Sequence, residues 1–247
     1  MSPTYPIVIA HRGYSAKYPE NTMVAFQAAL DAEVEMIELD VTLSRDRSLV
    51  VIHDDTLDRT TSGRGEVSRY SLGELRALDA GSWFDSRFAD EQIPTFEGVL
   101  DLVKGRTRVN IEIKSSAYED HHPVDAVGIR VAELVRKKKM QGDVIISSFQ
   151  WQILEDVGRI REAPSIGLLS KDRVDRAAVA ECRRFNAFSW NQNQRKCEPE
   201  GVAMMHEAGV YVFAYTVNSI ERFHELAAMG VDGVFSDDPV LLRSATL

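Results

Sequence analysis

Cysteine is scarce in this chain: only Cys182 and Cys197 occur in 247 residues, with no CxxC pair and no histidine at ligand spacing beside either. That scarcity excludes a disulfide scaffold and a thiolate zinc site, and it predicts two reduced thiols. Long apolar runs are also missing, and no stretch approaches the ~20 residues needed to cross a bilayer as a helix. The first strand-like run opens at Ile7, which leaves no room for a signal peptide, so a cytoplasmic protein is expected. A basic stripe is lacking too: the net charge is -9, which argues against a nucleic-acid partner. The one basic cluster, Arg136-Lys137-Lys138-Lys139, reads as the solvated end of a helix, where positive charge complements the dipole. There is no Gly-x-Ser-x-Gly elbow, no Walker-type loop, no internal repeat and no low-complexity tract, so serine-hydrolase and nucleotidase readings have no support.

What is present is an ordinary globular balance, 44% hydrophobic and 27% charged, at the length of ~250 residues typical of one α/β barrel. Short β-branched runs begin near Ile7, Met36, Val109, Val144, Ser165, Ala187, Tyr211 and Gly233. Helical patterns fall between them: residues 22–33, with Thr22 as N-cap, then stretches after Pro123, Gln150, Val174, Pro199 and Ser219. Eight strands in such alternation predict a (β/α)₈ TIM barrel. A ninth run, Ser48 to Ile52, follows the second strand too closely for a parallel crossover. It therefore predicts an antiparallel hairpin that carries His53 back toward Glu38 and Asp40. Residues 55–94 then form a polar excursion with its own capping-box signal, Ser71-Leu72-Gly73-Glu74. We read 1–247 as a single catalytic barrel domain and 55–94 as a small insertion on its rim, after the strand-2 hairpin.

The chemistry sits at the strand ends. In "MIELDV", Glu38 and Asp40 are two residues apart in an apolar strand and share one face. "VNIEIKSS" repeats the device with Glu112 and Lys114. Buried charges of this kind need neutralising partners. Three carboxylates against Arg12 and Lys114 leave a negative surplus, which a cation or a raised pKa must absorb. Carboxylates without cysteine suit one hard divalent cation, Mg²⁺ or Ca²⁺. Arg12 and Lys114 are then placed to hold a phosphate. Two histidines, His11 and His53, converge on the same strand ends and could serve as acid and base. His121 and His122 read as loop residues, and His206 and His224 as ordinary helix positions. Trp190-Asn191, at the end of the sixth strand, could line the pocket, or Trp190 could instead fill core.

In order and spacing, several motifs resemble those of the glycerophosphodiester phosphodiesterases. They are His11-Arg12-Gly13, Pro19-Glu20-Asn21-Thr22, Glu38-Leu39-Asp40, His53-Asp54, Ile93-Pro94-Thr95, Glu112-Ile113-Lys114 and the closing Gly230 to Asp237. The resemblance spans nearly the whole chain. It implies a TIM barrel with a small insertion that hydrolyses glycerophosphodiesters to glycerol 3-phosphate and an alcohol. It further implies His11 and His53 as the acid/base pair, Glu38, Asp40 and Glu112 as metal ligands, and Arg12 and Lys114 as the phosphate clamp. Tyr215 stands where the family commonly has tryptophan, and by resemblance it forms an aromatic wall over the glycerol. The partner implied is a small-molecule phosphodiester. Water, or a neighbouring glycerol hydroxyl giving a cyclic phosphate, could be the nucleophile. A lysophospholipase D on the same barrel, a Schiff-base aldolase built on Lys114, and a non-catalytic binding module are the rivals. The sequence selects neither the alcohol head group nor a number of subunits.

Overall fold

Parallel strands covered on both faces read as nearly continuous apolar runs, and the runs above become strands. The computed structural model describes residues 5–121 and 124–246. The strands are β1 (Ile7–Ala10), β2 (Met36–Leu43), β3 (Leu49–Val51), β4 (Arg108–Ile113), β5 (Val144–Ser148), β6 (Ser165–Ser170), β7 (Ser189–Asn193), β8 (Tyr211–Tyr215) and β9 (Gly233–Ser236). Eight of them are parallel neighbours in the order β1-β9-β8-β7-β6-β5-β4-β2, and pairing of β1 with β2 closes the ring. β3 lies antiparallel on β2, with Val41 opposite Val51, as the hairpin argument requires. The chain is thus a closed (β/α)₈ TIM barrel.

The helices are α1 (Met23–Asp31), α2 (Leu72–Arg76), α3 (Phe96–Val103), α4 (Val127–Lys138), α5 (Trp151–Gly158), α6 (Arg176–Phe185), α7 (Pro199–Glu207), α8 (Ile220–Ala228) and α9 (Pro239–Ser244). Thr22 caps α1, accepting from the Ala25 amide, and Ser71 and Glu74 form the reciprocal capping box of α2. The basic cluster ends α4, as its charge suggested. Two helices, α3 and α9, are absent from the sequence prediction. α3 buries Phe96, Val99, Leu100 and Val103 at helical spacing behind its cap Thr95, but its short pattern abuts the polar excursion. α9 is six residues long and opens on Pro239, too short to display a period. β7 also begins two residues beyond the expected Ala187, because the helix before it ends on Asn186 in the left-handed conformation.

Alternation along the strands divides the apolar residues into two cores. Ile37, Leu39, Val41, Ile111, Ile146, Leu168, Val212 and Val234 face the helices. Ile9, Met36, Ile145, Phe213 and Phe235 fill the barrel interior. Trp190 joins the helix-facing core at 2% exposure, edge-on to Trp151. It is a packing residue, and the pocket-lining alternative falls. Between β3 and α3, Leu57, Val67, Leu75, Ala80 and Ile93 build a smaller third core together with Val50 and Ile52 of the hairpin. Cys182 and Cys197 are free and buried. Among the described residues no helix is long and apolar enough to cross a membrane.

Candidate active site

The site lies where the strands of the barrel end. β1 stops at Ala10, and His11 keeps one more ladder bond, its amide donating to the Ser236 carbonyl at 2.9 Å. Then the chain turns through two successive left-handed residues, Arg12 at φ 58° and Gly13 at φ 80°. A Cβ at Gly13 would stand 2.7 Å from the Ala25 carbonyl carbon, so the turn needs glycine for its conformation and for the close approach of α1. The turn aims the Arg12 amide at Glu38, where it donates to Oε2 at 2.8 Å.

On β2, Glu38 and Asp40 are 2% and 1% exposed. Registry places Asp40 beside Glu112 on β4. Oxygens of Glu38, Asp40 and Glu112 lie within 4.8 Å of one another. Lys114, just beyond β4, donates to Glu112 at 2.7 Å and to Asp40 at 3.2 Å. The Arg12 guanidinium gives Nη1 to Glu20 at 2.7 Å and brings Nε to 3.5 Å from Asp40. That Nε is buried without a hydrogen-bond partner among the described residues. Asn21, itself left-handed, grips Asp40 through its side-chain amide at 2.8 Å.

The electrostatics follow from that geometry. Burial drives the Glu38 carboxyl well above the usual range, and Asp40 and Glu112 reinforce the shift against Arg12. Glu112 is raised for the same reasons, burial first and then Asp40, against the pull of Lys114. Asp40 goes the other way: burial opposes its ionisation, but Lys114, Arg12 and His53 together outweigh it and hold it low. Burial likewise works against the Lys114 charge, yet Asp40 and Glu112 raise its pKa. The cluster is therefore short of positive charge even with both basic groups in place. Oxygens this close also match a hard cation, whose oxygen ligands stand about 2.0–2.6 Å from the metal. The donor set fits one divalent ion.

His53 follows β3, brought back to the site by the Ile52 amide bonded to the Asp40 carbonyl at 3.1 Å. Its Nδ1 contacts Asp54 Oδ1 at 2.6 Å, and His11 Nδ1 contacts Asp237 Oδ1 at 2.6 Å. A carboxylate on Nδ1 favours the ring proton there and leaves Nε2 as the nitrogen that carries the lone pair. Both histidines line a cavity of about 240 Å³ together with Arg12, Glu38, Glu112 and Lys114; Phe149, Leu169, Tyr215 and Phe235 line it with apolar surface. The Tyr215 ring meets Phe149 edge-on at 6.0 Å, and its hydroxyl donates to the Ser170 carbonyl at 2.7 Å.

Every site residue expected from the sequence thus reaches this one cavity or its carboxylate cluster. Sequence reasoning assigned no part to Glu20, Asn21, Asp54, Arg59, Phe149 or Asp237. Asp54 and Asp237 were visible in quoted motifs, whereas Arg59 gave no signal. His121 is an exposed loop residue, His122 lies outside the described residues, and His206 and His224 sit on α7 and α8 away from the cavity.

This TIM barrel gathers an acidic cluster, two basic groups and two carboxylate-held histidines at one mouth, the face on which TIM-barrel enzymes carry their active sites. Residues 11–241 match the family model of the Glycerophosphoryl diester phosphodiesterase family, and the chain belongs to that family. It is 39% identical over 238 residues to a glycerophosphodiester phosphodiesterase of Caldanaerobacter subterraneus subsp. tengcongensis, covering 96% of each chain. It is 32% identical over 256 residues to one from Bacillus subtilis, covering 98% of this chain and 87% of the other. Among solved structures, an Oleispira antarctica phosphodiesterase in complex with the product sn-glycerol-3-phosphate superposes with a TM-score of 0.87 at 29% identity, covering 98% of this chain and 96% of that one. The chain is an enzyme of the glycerophosphodiester phosphodiesterase class.

Proposed function

We propose that this enzyme hydrolyses glycerophosphodiesters to glycerol 3-phosphate and an alcohol, using one divalent cation, Mg²⁺ or Ca²⁺, and histidine acid/base catalysis. The observation that carries the reading is one cavity lined both by Glu38 and Glu112 of the carboxylate cluster and by His11 and His53. The product bound by the Oleispira relative supports the substrate class.

In this reading Glu38, Asp40 and Glu112 hold the cation. A cation held there would offset their surplus charge and supply Lewis-acid polarisation of the phosphoryl group. Arg12 and Lys114, which both line the cavity, would hold the phosphate oxygens, with Arg offering directed donors and Lys a point charge. One histidine takes the proton of the nucleophile at Nε2 while the other delivers a proton to the leaving alkoxide. Asp54 and Asp237 hold both rings in the productive tautomer. Tyr215 and Phe149 supply the apolar wall for the glycerol carbons. Lys114 does not suit a Schiff base, because two carboxylates keep it an ammonium and a nucleophilic amine must be free.

We also read residues 1–247 as one catalytic domain and 55–94 as its rim insertion, supported by the separate small core of that segment. Two buried reduced thiols fit a cytoplasmic setting. The test is product analysis after incubation with glycerophosphocholine and each cation. Glycerol 3-phosphate plus choline is the expected pair. Phosphocholine plus glycerol, or no product, would overturn the reading.

A further inference from the structure

Arg59 belongs to the insertion, not to the barrel, yet it touches the partners of two site residues at once. It donates to Asp54 through Nε to Oδ2 at 2.7 Å and through Nη2 to Oδ1 at 2.9 Å. It donates to Glu20 through Nη1 to Oε2 at 2.7 Å and through Nη2 to Oε1 at 2.8 Å. Both contacts are two-pronged, the geometry that guanidinium provides and ammonium cannot. Asp54 Oδ1 is the atom that holds His53 Nδ1, and Glu20 Oε1 is the atom that holds Arg12 Nη1.

From this we propose that Arg59 is a positioning residue through which the insertion sets the orientation of His53 and of the Arg12 guanidinium together. The inference rests on the function proposed above and adds to it a reason for the insertion. Asp54 is next to His53 in the chain and only part-buried, at 25% exposure, so by itself it is free to swing. Arg59 fixes both of its oxygens. Glu20, if released, could take both prongs of Arg12 and pull it from the phosphate. Arg59 shares the carboxylate and limits that draw. Its own position is set by a turn anchored on the fully buried Leu57, whose carbonyl accepts from the Thr61 amide at 3.1 Å. The guanidinium also lies 6.0 Å from the Trp83 ring centroid, a second support from within the insertion.

The experiment compares wild type with Arg59→Ala and Arg59→Lys in steady-state turnover of glycerophosphocholine by the metal-loaded enzyme. Nitrogen-15 shifts of the His53 ring are recorded at about pH 9, above the ordinary imidazole range. A fall in kcat of about 10- to 100-fold is expected in Arg59→Ala, as for groups that orient a functional residue from one shell out. Lys should restore little of it, while added free guanidinium should restore several-fold, since the side chain is 44% exposed and its space reachable from solvent. The His53 spectrum should change from one tautomer in wild type to a mixture in the variant. Should Arg59→Ala fail to fold, Arg59→Lys carries the same tautomer and kcat expectations. Turnover within about twofold of wild type, or an unchanged tautomer, would overturn the clamp. An inactive wild type would instead overturn the proposed function, and the His53 spectrum would still decide the role of Arg59.

Discussion

His11 is held by a residue far away in sequence, whereas His53 is held by its chain neighbour Asp54. His11 and Asp237 are 226 positions apart and meet at 2.6 Å. Replacing His11 or His53 with alanine should leave the fold intact and lower kcat by about 10²–10⁴-fold, the usual share of general acid–base catalysis. Circular dichroism alongside single-turnover rates checks both halves of that expectation. Asp237 also carries a stability prediction. Burial pushes its carboxyl up, but the bonds from His11, Asn218 and Ser15 outweigh it and bring the value down to about 2. A group depressed on folding from about 3.9 stabilises the native state fully above about pH 4. That contribution is lost as pH falls through its folded value. Urea midpoints of wild type and Asp237→Asn should therefore differ most near neutrality and converge toward about pH 2. A gap that stays constant over that range would contradict the assignment. At this scale the carboxylates and Lys114 were legible, because i and i+2 on a strand share a face. Asp237 and Asn21 stand in recognisable motifs, but their supporting roles were not legible and Arg59 gave no signal, because tertiary contact alone creates these pairs.

Among the elements, the turn after β1 does the most to place the site. Arg12 and Gly13 in the left-handed region reverse the chain, direct the Arg12 amide to Glu38 and let α1 pack against the turn. Gly13→Ala adds a Cβ where φ is 80° and the Ala25 carbonyl carbon is 2.7 Å away. The strain of a non-glycine residue there costs about 1–3 kcal/mol, and the crowding adds to it. Chemical denaturation should show that loss, together with a weaker site, since Arg12 moves with the turn. The hairpin of β2 and β3 was legible from loop length, because a crossover of so few residues is impossible. Thr22 and the Ser71–Glu74 box were legible as caps for the same local reason. α3 and α9 escaped detection because they are short and sit beside polar or proline-bearing segments, where packing on the barrel, not periodicity, makes the helix.

Across the whole molecule, the barrel converts strand ends scattered from residue 11 to residue 237 into one wall of charge. Its interior is packed with Ile9, Met36, Ile145, Phe213 and Phe235, and the cavity that reaches the acidic cluster opens at the mouth. The architecture was legible because eight buried strands in strict alternation with helices admit few other arrangements. The insertion was legible as an interruption, but not as a contributor, since its polar residues matched no period. The central claim is that three carboxylates converge there to hold a cation that the reaction needs. Its most direct test is release of sn-glycerol 3-phosphate from glycerophosphocholine by enzyme stripped with EDTA, followed by titration with Mg²⁺ or Ca²⁺. The account predicts release abolished by EDTA, restored by one of the two ions, and not restored in Glu112→Gln at the same ion concentration. Undiminished release by the stripped enzyme would contradict it.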